Sequence, residues 1–203
     1  DSGNQMIATT GIAPGGFDFP IEATAAGPVR NVIRMPVFDK AYLAQTDNKF
    51  EWLWPSGDFL PNIPSTKLAL KHPINHQVRL TLNGAPVSQL NFSNRETYGP
   101  NQSAISIWNG VDIKEGANYF VASLVDKDDN IVDRKEFDLH YAGRPTKAVL
   151  IKEETRATAD GVVAPVIAIK FQDKDGYPVR NGLQGEFTVD SPYFALDPNK
   201  NKV

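Results

Sequence analysis

In residues 103–141, apolar side chains recur at every second position, which is the period of a β-strand with two distinct faces. In the middle of this range one face carries Tyr119, Val121 and Ser123 and the other carries Phe120, Ala122 and Leu124. Residues 126–130 are small and polar and predict a hairpin turn. Before them, Gly116 supplies the positive φ that a tight loop needs. The pattern predicts strands joined by short turns, as in the closing hairpin of a β-sandwich.

The same alternation is present upstream, in residues 67–72 and 77–82. Asn83-Gly84 follows directly and predicts a two-residue hairpin of type I′. Residues 93–102 are polar, contain Gly99-Pro100, and predict an irregular loop. Short strands at this spacing are typical of a sandwich. We therefore expect an immunoglobulin-like β-sandwich over residues 64–143.

Residues 1–63 carry many prolines and glycines, which remove backbone donors or cost conformational entropy in a helix. The sequence therefore predicts an irregular N-terminal segment with short strands and no helix. Its best strand candidate is residues 29–38, where Pro36 favours an edge position.

A second domain is predicted after Ala142-Gly143-Arg144-Pro145-Thr146, because a Gly followed by a Pro ends a strand. Alternating segments at 147–152, 162–171 and 185–190 then predict new strands. Only about 57 residues remain from Lys147 onward, roughly half of a sandwich of this type. We expect residues 144–203 to be a partial module, so that the fold class is all-β with tandem immunoglobulin-like sandwiches.

Charge and composition narrow the function classes. The chain has 21 basic and 24 acidic residues, a net charge of -3, and no clustered basic surface that would follow nucleic-acid phosphates. No apolar run approaches the ~20 residues of a transmembrane helix. The absence of cysteine excludes disulfides and thiolate sites, and it favours a bacterial envelope source over an animal secreted one.

Two motifs in the second domain resemble a known family. Ala159-Asp160-Gly161 precedes an apolar strand, and Asp173-Lys174-Asp175-Gly176-Tyr177-Pro178-Val179 follows it. This arrangement is similar to bacterial immunoglobulin-like domains of the invasin/intimin type. The resemblance implies a chain of such modules in a large Gram-negative outer-membrane or surface protein, near a membrane-embedded domain or an adhesive tip. The preceding module, with its motifs at residues 82–87 and 110–118, is similar to the immunoglobulin-like modules found beside such domains. The resemblance therefore covers residues 64–192, and it carries over no binding residue.

Aromatic residues are dense between residues 50 and 60 and include Trp52, Trp54 and Phe59. Such side chains bury large areas, so they are candidates for plugging the end of a sandwich or for packing a domain interface. They are also candidates for an exposed platform that binds a sugar ring or a partner protein.

The metal candidates are weak. Asp173 and Asp175, at the turn near the junction between modules, are candidates to share an ion there. Asp126, Asp128 and Asn130 have the spacing of the first three calcium ligands of an EF-hand, but Ile131 stands where that loop needs Gly. A plain hairpin turn explains these residues as well. His72 and His76 are four apart, but Pro73 prevents the helix that would bring them together as a metal pair.

We therefore expect a non-catalytic spacer, adhesion or scaffold fragment of a bacterial cell-envelope protein, without a cofactor other than possible calcium. Its expected partner is another protein or a neighbouring module of the same chain, and not nucleic acid. The alternative is an accessory carbohydrate-binding β-sandwich of a carbohydrate-active enzyme, in which Trp52 and Trp54 contact the sugar. No Ser-His-acid set or serine elbow predicts an enzyme.

Overall fold

The computed structural model describes residues 5–9, 23–24, 33–57, 59–156 and 166–180. In chain order its elements are β1 (Gln5–Thr9), β2 (Ala23–Thr24), α1 (Lys40–Ala44), β3 (Glu51–Trp54), β4 (Ser65–Pro73), β5 (Gln77–Leu82), β6 (Ala85–Pro86), a 3-10 turn (Gln89–Asn91), β7 (Phe92–Tyr98), β8 (Ser103–Asp112), β9 (Gly116–Val125), β10 (Ile131–Tyr141), β11 (Lys147–Leu150) and β12 (Val166–Gln172). Nearly all of this structure is antiparallel sheet, which confirms the predicted all-β class.

The chain divides into two compact units. Ile33–Tyr141 form one, called here the central unit, and Asp1–Val32 together with Ala142–Val203 form the other, called the terminal unit. The domain bounds drawn from the sequence, 1–63, 64–143 and 144–203, stay predictions.

Two four-stranded antiparallel sheets form the central unit, in the orders β3-β4-β8-β7 and β10-β9-β5-β6. Each sheet has an apolar face because alternate residues of a strand point to the same side. On β9 the buried residues Phe120, Ala122 and Leu124 alternate with more exposed ones. They pack in one cluster with Leu68 and Leu70 of β4. The two sheets therefore share a core.

The tight turns predicted from the sequence are present. Asn83 and Gly84 have φ of 50° and 83°, both positive as a type I′ turn requires, and β5 pairs with β6 across them. Gly116 has φ of 93° at the start of β9. The amide of Asp126 donates to the carbonyl of Asn130 at 3.0 Å, which closes the β9–β10 hairpin.

The second face of the β4–β8 sheet is covered by residues 33–49, called here the covering segment. The buried cluster on this face contains Phe38, Leu43, Trp54, Ala69 and Ile105. Ala69 and Ile105 alternate with the residues of their strands that face the shared core. This sheet is therefore packed on both faces.

The covering segment corrects two predictions. The expectation of no helix before residue 63 is wrong at α1, where the Asp39 carboxylate accepts a hydrogen bond from the Tyr42 amide at 2.9 Å and caps the helix. Burial of Leu43, which is 0% exposed, holds this short helix in place. The strand expected over residues 29–38 is absent from residues 33–38, the part that the structure describes.

The irregular loop expected at residues 93–102 is also wrong, because β7 runs to Tyr98 before a turn begins. β7 pairs with β8 in a register that places Arg95 opposite Ser106 and Thr97 opposite Ala104. Most of its side chains are exposed, as at the edge of a sheet, so the segment lacks the apolar alternation of a half-buried strand.

In the terminal unit, the described strands form one antiparallel sheet in the order β11-β12-β1-β2. β11 lies within the predicted segment 147–152, and β12 overlaps the predicted segment 162–171 and ends one residue beyond it. The strand expected at 185–190 lies outside the described residues. β12 is paired on both sides, with Gln5 of β1 opposite Lys170. In the described part of the chain, no helix has the length and hydropathy of a transmembrane segment.

A buried asparagine fixes the loop between β8 and β9. Asn118 is 0% exposed, and its side-chain oxygen accepts from the Lys114 amide at 2.9 Å. Its amide nitrogen donates to the carbonyl oxygens of Lys114 at 2.7 Å and Gly116 at 3.0 Å. The side chain therefore takes the place of backbone partners at this corner.

Replacing Asn118 with alanine should lower the free energy of unfolding by about 2 kcal/mol, because buried backbone groups lose their partners. Urea denaturation of the full chain measures this. Asn94→Ala is the control, since the exposed Asn94 side chain donates to Glu96, and it should change stability by less than about 0.5 kcal/mol. Equal losses in the two variants would contradict a structural role for Asn118.

Candidate functional site

A groove of about 440 Å³ opens between the edges of the two sheets of the central unit. Its walls come from β5 and β6 on one side and from β7, β8 and the preceding 3-10 turn on the other, with His72 of β4 also lining it. The lining residues are His72, Gln77, Val78, Arg79, Leu80, Thr81, Pro86, Val87, Gln89, Phe92, Arg95, Ser106 and Trp108. This volume is within the range of ligand pockets, about 300–1,000 Å³.

The groove meets β5 along its edge. Five consecutive residues, 77–81, line it, although neighbouring side chains of a strand point to opposite faces. β6 pairs only with Thr81 and Leu82, and the Val87 amide adds a bond to the Leu80 carbonyl at 3.0 Å. Val78 lies two residues before Leu80, and backbone groups two residues apart on a strand point to the same side. The N–H and C=O of Val78 therefore point toward the groove, one step past the bond between Val87 and Leu80.

His72 and Ser106 form a buried polar pair among the lining residues. His72 is 0% exposed and Ser106 is 4% exposed, and 2.9 Å separates His72 Nε2 from Ser106 Oγ. His72 Nδ1 lies 2.9 Å from the Pro73 carbonyl, which can only accept, so Nδ1 carries the proton and Nε2 accepts from the Ser106 hydroxyl. Burial lowers the pKa of His72 to about 4, so the ring is neutral at pH 7.

A serine beside a neutral histidine is also the start of a nucleophile and base pair. Here, however, Ser106 lies within a strand and its hydroxyl is almost completely buried. The histidine is oriented by a backbone carbonyl, which cannot stabilise an imidazolium as a carboxylate does. The pair therefore fits a packing role, in which both ring nitrogens of His72 are hydrogen-bonded.

The groove carries positive charge, because Arg79 and Arg95 line it and, among the residues that the structure describes, no carboxylate does. Arg79 Nη2 lies 2.6 Å from Asp129 Oδ1, so its charge is partly balanced. Arg95 Nη2 instead donates to the carbonyl oxygens of Ile74 at 2.6 Å and His76 at 3.2 Å. These bonds orient the guanidinium, and no carboxylate in the described part of the chain forms an ion pair with it.

The aromatic residues singled out in the sequence pack into the protein. Trp54 is 4% exposed, and its ring centroid lies 4.8 Å from that of Phe59. Trp52 is partly buried and stacks on Phe137 at 5.3 Å with ring planes 9° apart. These contacts cover part of the ring surface on which a sugar could stack. Binding of a sugar or a partner by Trp52, Trp54 and Phe59 stays a prediction.

The calcium candidates form a hydrogen-bonded turn. Asp126 Oδ1 accepts from the amides of Asp128 at 2.8 Å and Asn130 at 2.9 Å, and Asp126 Oδ2 lies 3.2 Å from Asn130 Nδ2. The bond from the Asn130 amide is the main reason that the pKa of Asp126 lies below its usual value. The hairpin reading accounts for all three residues, and calcium binding stays a prediction.

A buried lysine ties the covering segment to β4. Lys71 Nζ lies 2.8 Å from Asp47 Oδ1 and 2.9 Å from Glu51 Oε2, and its side chain is 4% exposed. Burial lowers the pKa of Lys71, but the hydrogen bonds to the two carboxylates outweigh burial and raise it overall. The hydrogen bond from Lys71 is the main cause that lowers the pKa of Asp47 to about 2. Lys71 and Asp47 are therefore charged at pH 7, and the ion pairs of Lys71 with Asp47 and Glu51 hold the covering segment and β3 to β4.

The sequence pattern does not predict this groove. It relates His72 only to His76 and places Arg95 in a predicted loop. The signal that could have found β7 is the density of β-favouring residues at its ends, Phe92, Thr97 and Tyr98.

Neither the protein-family models nor the curated protein sequences match this chain. The resemblance to invasin-type modules stays a prediction.

Proposed function

We propose that this chain is a non-catalytic part of a large bacterial cell-envelope protein, in which immunoglobulin-like modules act as spacer, adhesion or scaffold elements. The observation that carries this proposal is the strand order of the central unit. Taken in chain order as A, B, C, C′, D, E, F and G, strands β3 to β10 give sheets A-B-E-D and G-F-C-C′. An immunoglobulin sandwich has ABED in one sheet and CFG in the other, with C′ added in variable-type domains.

This agreement is informative because the chain changes sheets after β4, after β6 and after β8. A simple succession of hairpins would keep neighbouring strands in one sheet, whereas these crossings are the Greek-key connections of immunoglobulin sandwiches. The shared core between the sheets supports the same assignment.

Two features differ from antibody domains. The chain has no cysteine, so the inter-sheet disulfide is absent, and β5 has Leu80 buried where those domains carry a tryptophan on strand C. Asn118, at the start of the strand that corresponds to F, holds the preceding corner as a tyrosine does in antibody domains. The missing disulfide and the missing tryptophan both fit an immunoglobulin-like module that is not of the antibody type.

Support for an invasin-type module in residues 144–203 comes from the turn after β12. Asp173 is buried, and its carboxylate accepts from the amides of Gly143 at 3.2 Å, Asp175 at 3.0 Å and Tyr177 at 2.9 Å. Gly176 has φ of 88° and Val179 is 1% exposed. Asp173, Gly176 and Val179 thus have structural roles in this turn, as expected of residues that define the turn motif of a family.

The proposal is tested by localisation and by an activity screen. In fractionated cells of the source organism, an antibody against the chain should find it in the envelope fraction. The purified chain should hydrolyse chromogenic esters, chromogenic glycosides and a casein substrate no faster than its Ser106→Ala variant, because Ser106 is the nucleophile that the groove would offer. Cytosolic recovery would contradict the envelope assignment, and turnover abolished by Ser106→Ala would contradict the non-catalytic one.

A further inference from the structure

The groove between β5 and β7 is flanked by strands that lie at or near the edges of different sheets. β7 ends the order β3-β4-β8-β7, and β5 is covered by β6 only at Thr81 and Leu82. An extended chain that lies beside such an edge completes the ladder and gains backbone hydrogen bonds. The N–H and C=O of Val78 are the pair that such a chain would meet.

The surfaces beside this edge are apolar. Trp108 is buried in the core, and the Phe92 ring meets its ring edge-to-face at 5.5 Å. Phe92 is 41% exposed and Leu90, on the adjacent 3-10 turn, is 96% exposed. With Val78 and Val87, Phe92 offers apolar contact to alternate side chains of a bound strand, which is how strand addition acquires specificity. Leu90 adds an exposed apolar side chain on the neighbouring turn.

The charge of the groove decides which kind of strand fits. Among the described residues, Arg95 has no carboxylate partner and no acidic residue lines the groove. Arg79 is half-exposed and pairs with Asp129. A basic segment would be repelled here, whereas a segment with carboxylates flanking its apolar residues would be attracted.

We propose that this groove binds an extended, acidic-flanked segment of a partner protein, which adds to β5 as a strand through the backbone of Val78 and places a carboxylate at Arg95. The inference rests on the proposed function, since it names the kind of partner that a non-catalytic module would hold. The groove then acts as the adhesive or scaffolding surface of the central unit.

The test uses the full chain and an acetylated, amidated peptide with the sequence Asp-Val-Thr-Val-Thr-Val-Asp. Three further peptides are compared with it: one with lysine in place of aspartate, one N-methylated at the valines, and one with proline in place of both threonines. Binding is followed by calorimetry, and the Val78 amide by hydrogen exchange in NMR. The acidic peptide should bind, protect the Val78 amide at least tenfold, and lose about tenfold or more in affinity on N-methylation, because a backbone bond is lost and the methyl group clashes.

Two variants test the charge. Arg95→Gln should weaken binding of the acidic peptide roughly three- to fivefold, the size of a partly exposed ion pair, and should reduce the salt dependence. Arg95→Lys loses the same carbonyl contacts but keeps the charge, so it should bind within about twofold of the original chain. Arg134→Gln removes a charge from the exposed β10 edge, where Arg134 pairs with Glu136, and should change nothing.

Several results would overturn the proposal: no binding up to millimolar peptide, equal affinity for the acidic and lysine peptides, or equal affinity for the plain and N-methylated peptides. Displacement of the peptide by hexanoate at the same concentration would show a small-acid site instead. These results would not contradict the proposed function as a cell-envelope module. Cleavage of the peptide, detected by mass spectrometry, would instead contradict the proposed non-catalytic function.

Discussion

Replacing Phe120 with alanine should lower the free energy of unfolding by about 4 kcal/mol, the largest effect that we expect of a single substitution in this chain. Phe120 is 1% exposed in the core that the two sheets share, and its ring centroid lies 6.0 Å from that of Trp52. Alanine would leave a cavity in contact with both sheets. Because the core is closely packed, small shifts of the neighbouring side chains cannot fill that cavity. Urea denaturation, followed by circular dichroism, gives the value.

The matched control is the neighbouring residue. Tyr119 is 56% exposed because consecutive residues of β9 point to opposite faces. Tyr119→Ala should therefore cost less than about 1 kcal/mol. A comparable loss at both positions would mean that β9 does not divide its side chains between core and solvent as described.

The stability of the chain should fall as the pH is lowered from about 6.5 to 4, and His72 should account for about 3 kcal/mol of this fall. Burial lowers the pKa of His72 from 6.5 to about 4 in the folded chain. The unfolded chain therefore binds a proton first, so the contribution is complete above pH 6.5 and is lost as the pH falls toward 4. The measurement is the free energy of unfolding in urea at several pH values.

The His72→Gln variant separates this effect from the titration of carboxylates, which also occurs at low pH. Glutamine can still bond to Ser106 but does not titrate, so the stability of the variant should depend less on pH between 6.5 and 4. The difference between the two profiles should be about 3 kcal/mol across this window. Parallel profiles would show that His72 is not buried in its neutral form.

The sequence predicted the features that depend on near neighbours. The strands within residues 103–141 and the turns at Asn83-Gly84 and Gly116 follow from period-two alternation and from positive φ, both of which are local. Helix α1 was missed because its five residues are too few to be stable alone, and it depends on burying Leu43 against residues far along the chain.

The groove could not be predicted because its residues come together only through strand pairing. His72 lies near Ser106 because Leu70 is opposite Ser106 and His72 is opposite Ala104 in the β4–β8 register. Arg95 joins them because β7 pairs on the other side of β8. No spacing along the chain contains this information, since register and sheet order depend on which apolar faces are buried together.

The pairing of β1 with β12 has a consequence for how the chain is made. Gln5 and Lys170 are partners although about 165 residues separate them. At a synthesis rate of about 5–20 residues per second, β1 leaves the ribosome roughly 8–33 seconds before its partner. During that interval the complete sequence of the central unit emerges and can fold. β1 meanwhile lacks its partner strand, so its unpaired backbone groups must be kept from pairing with other chains.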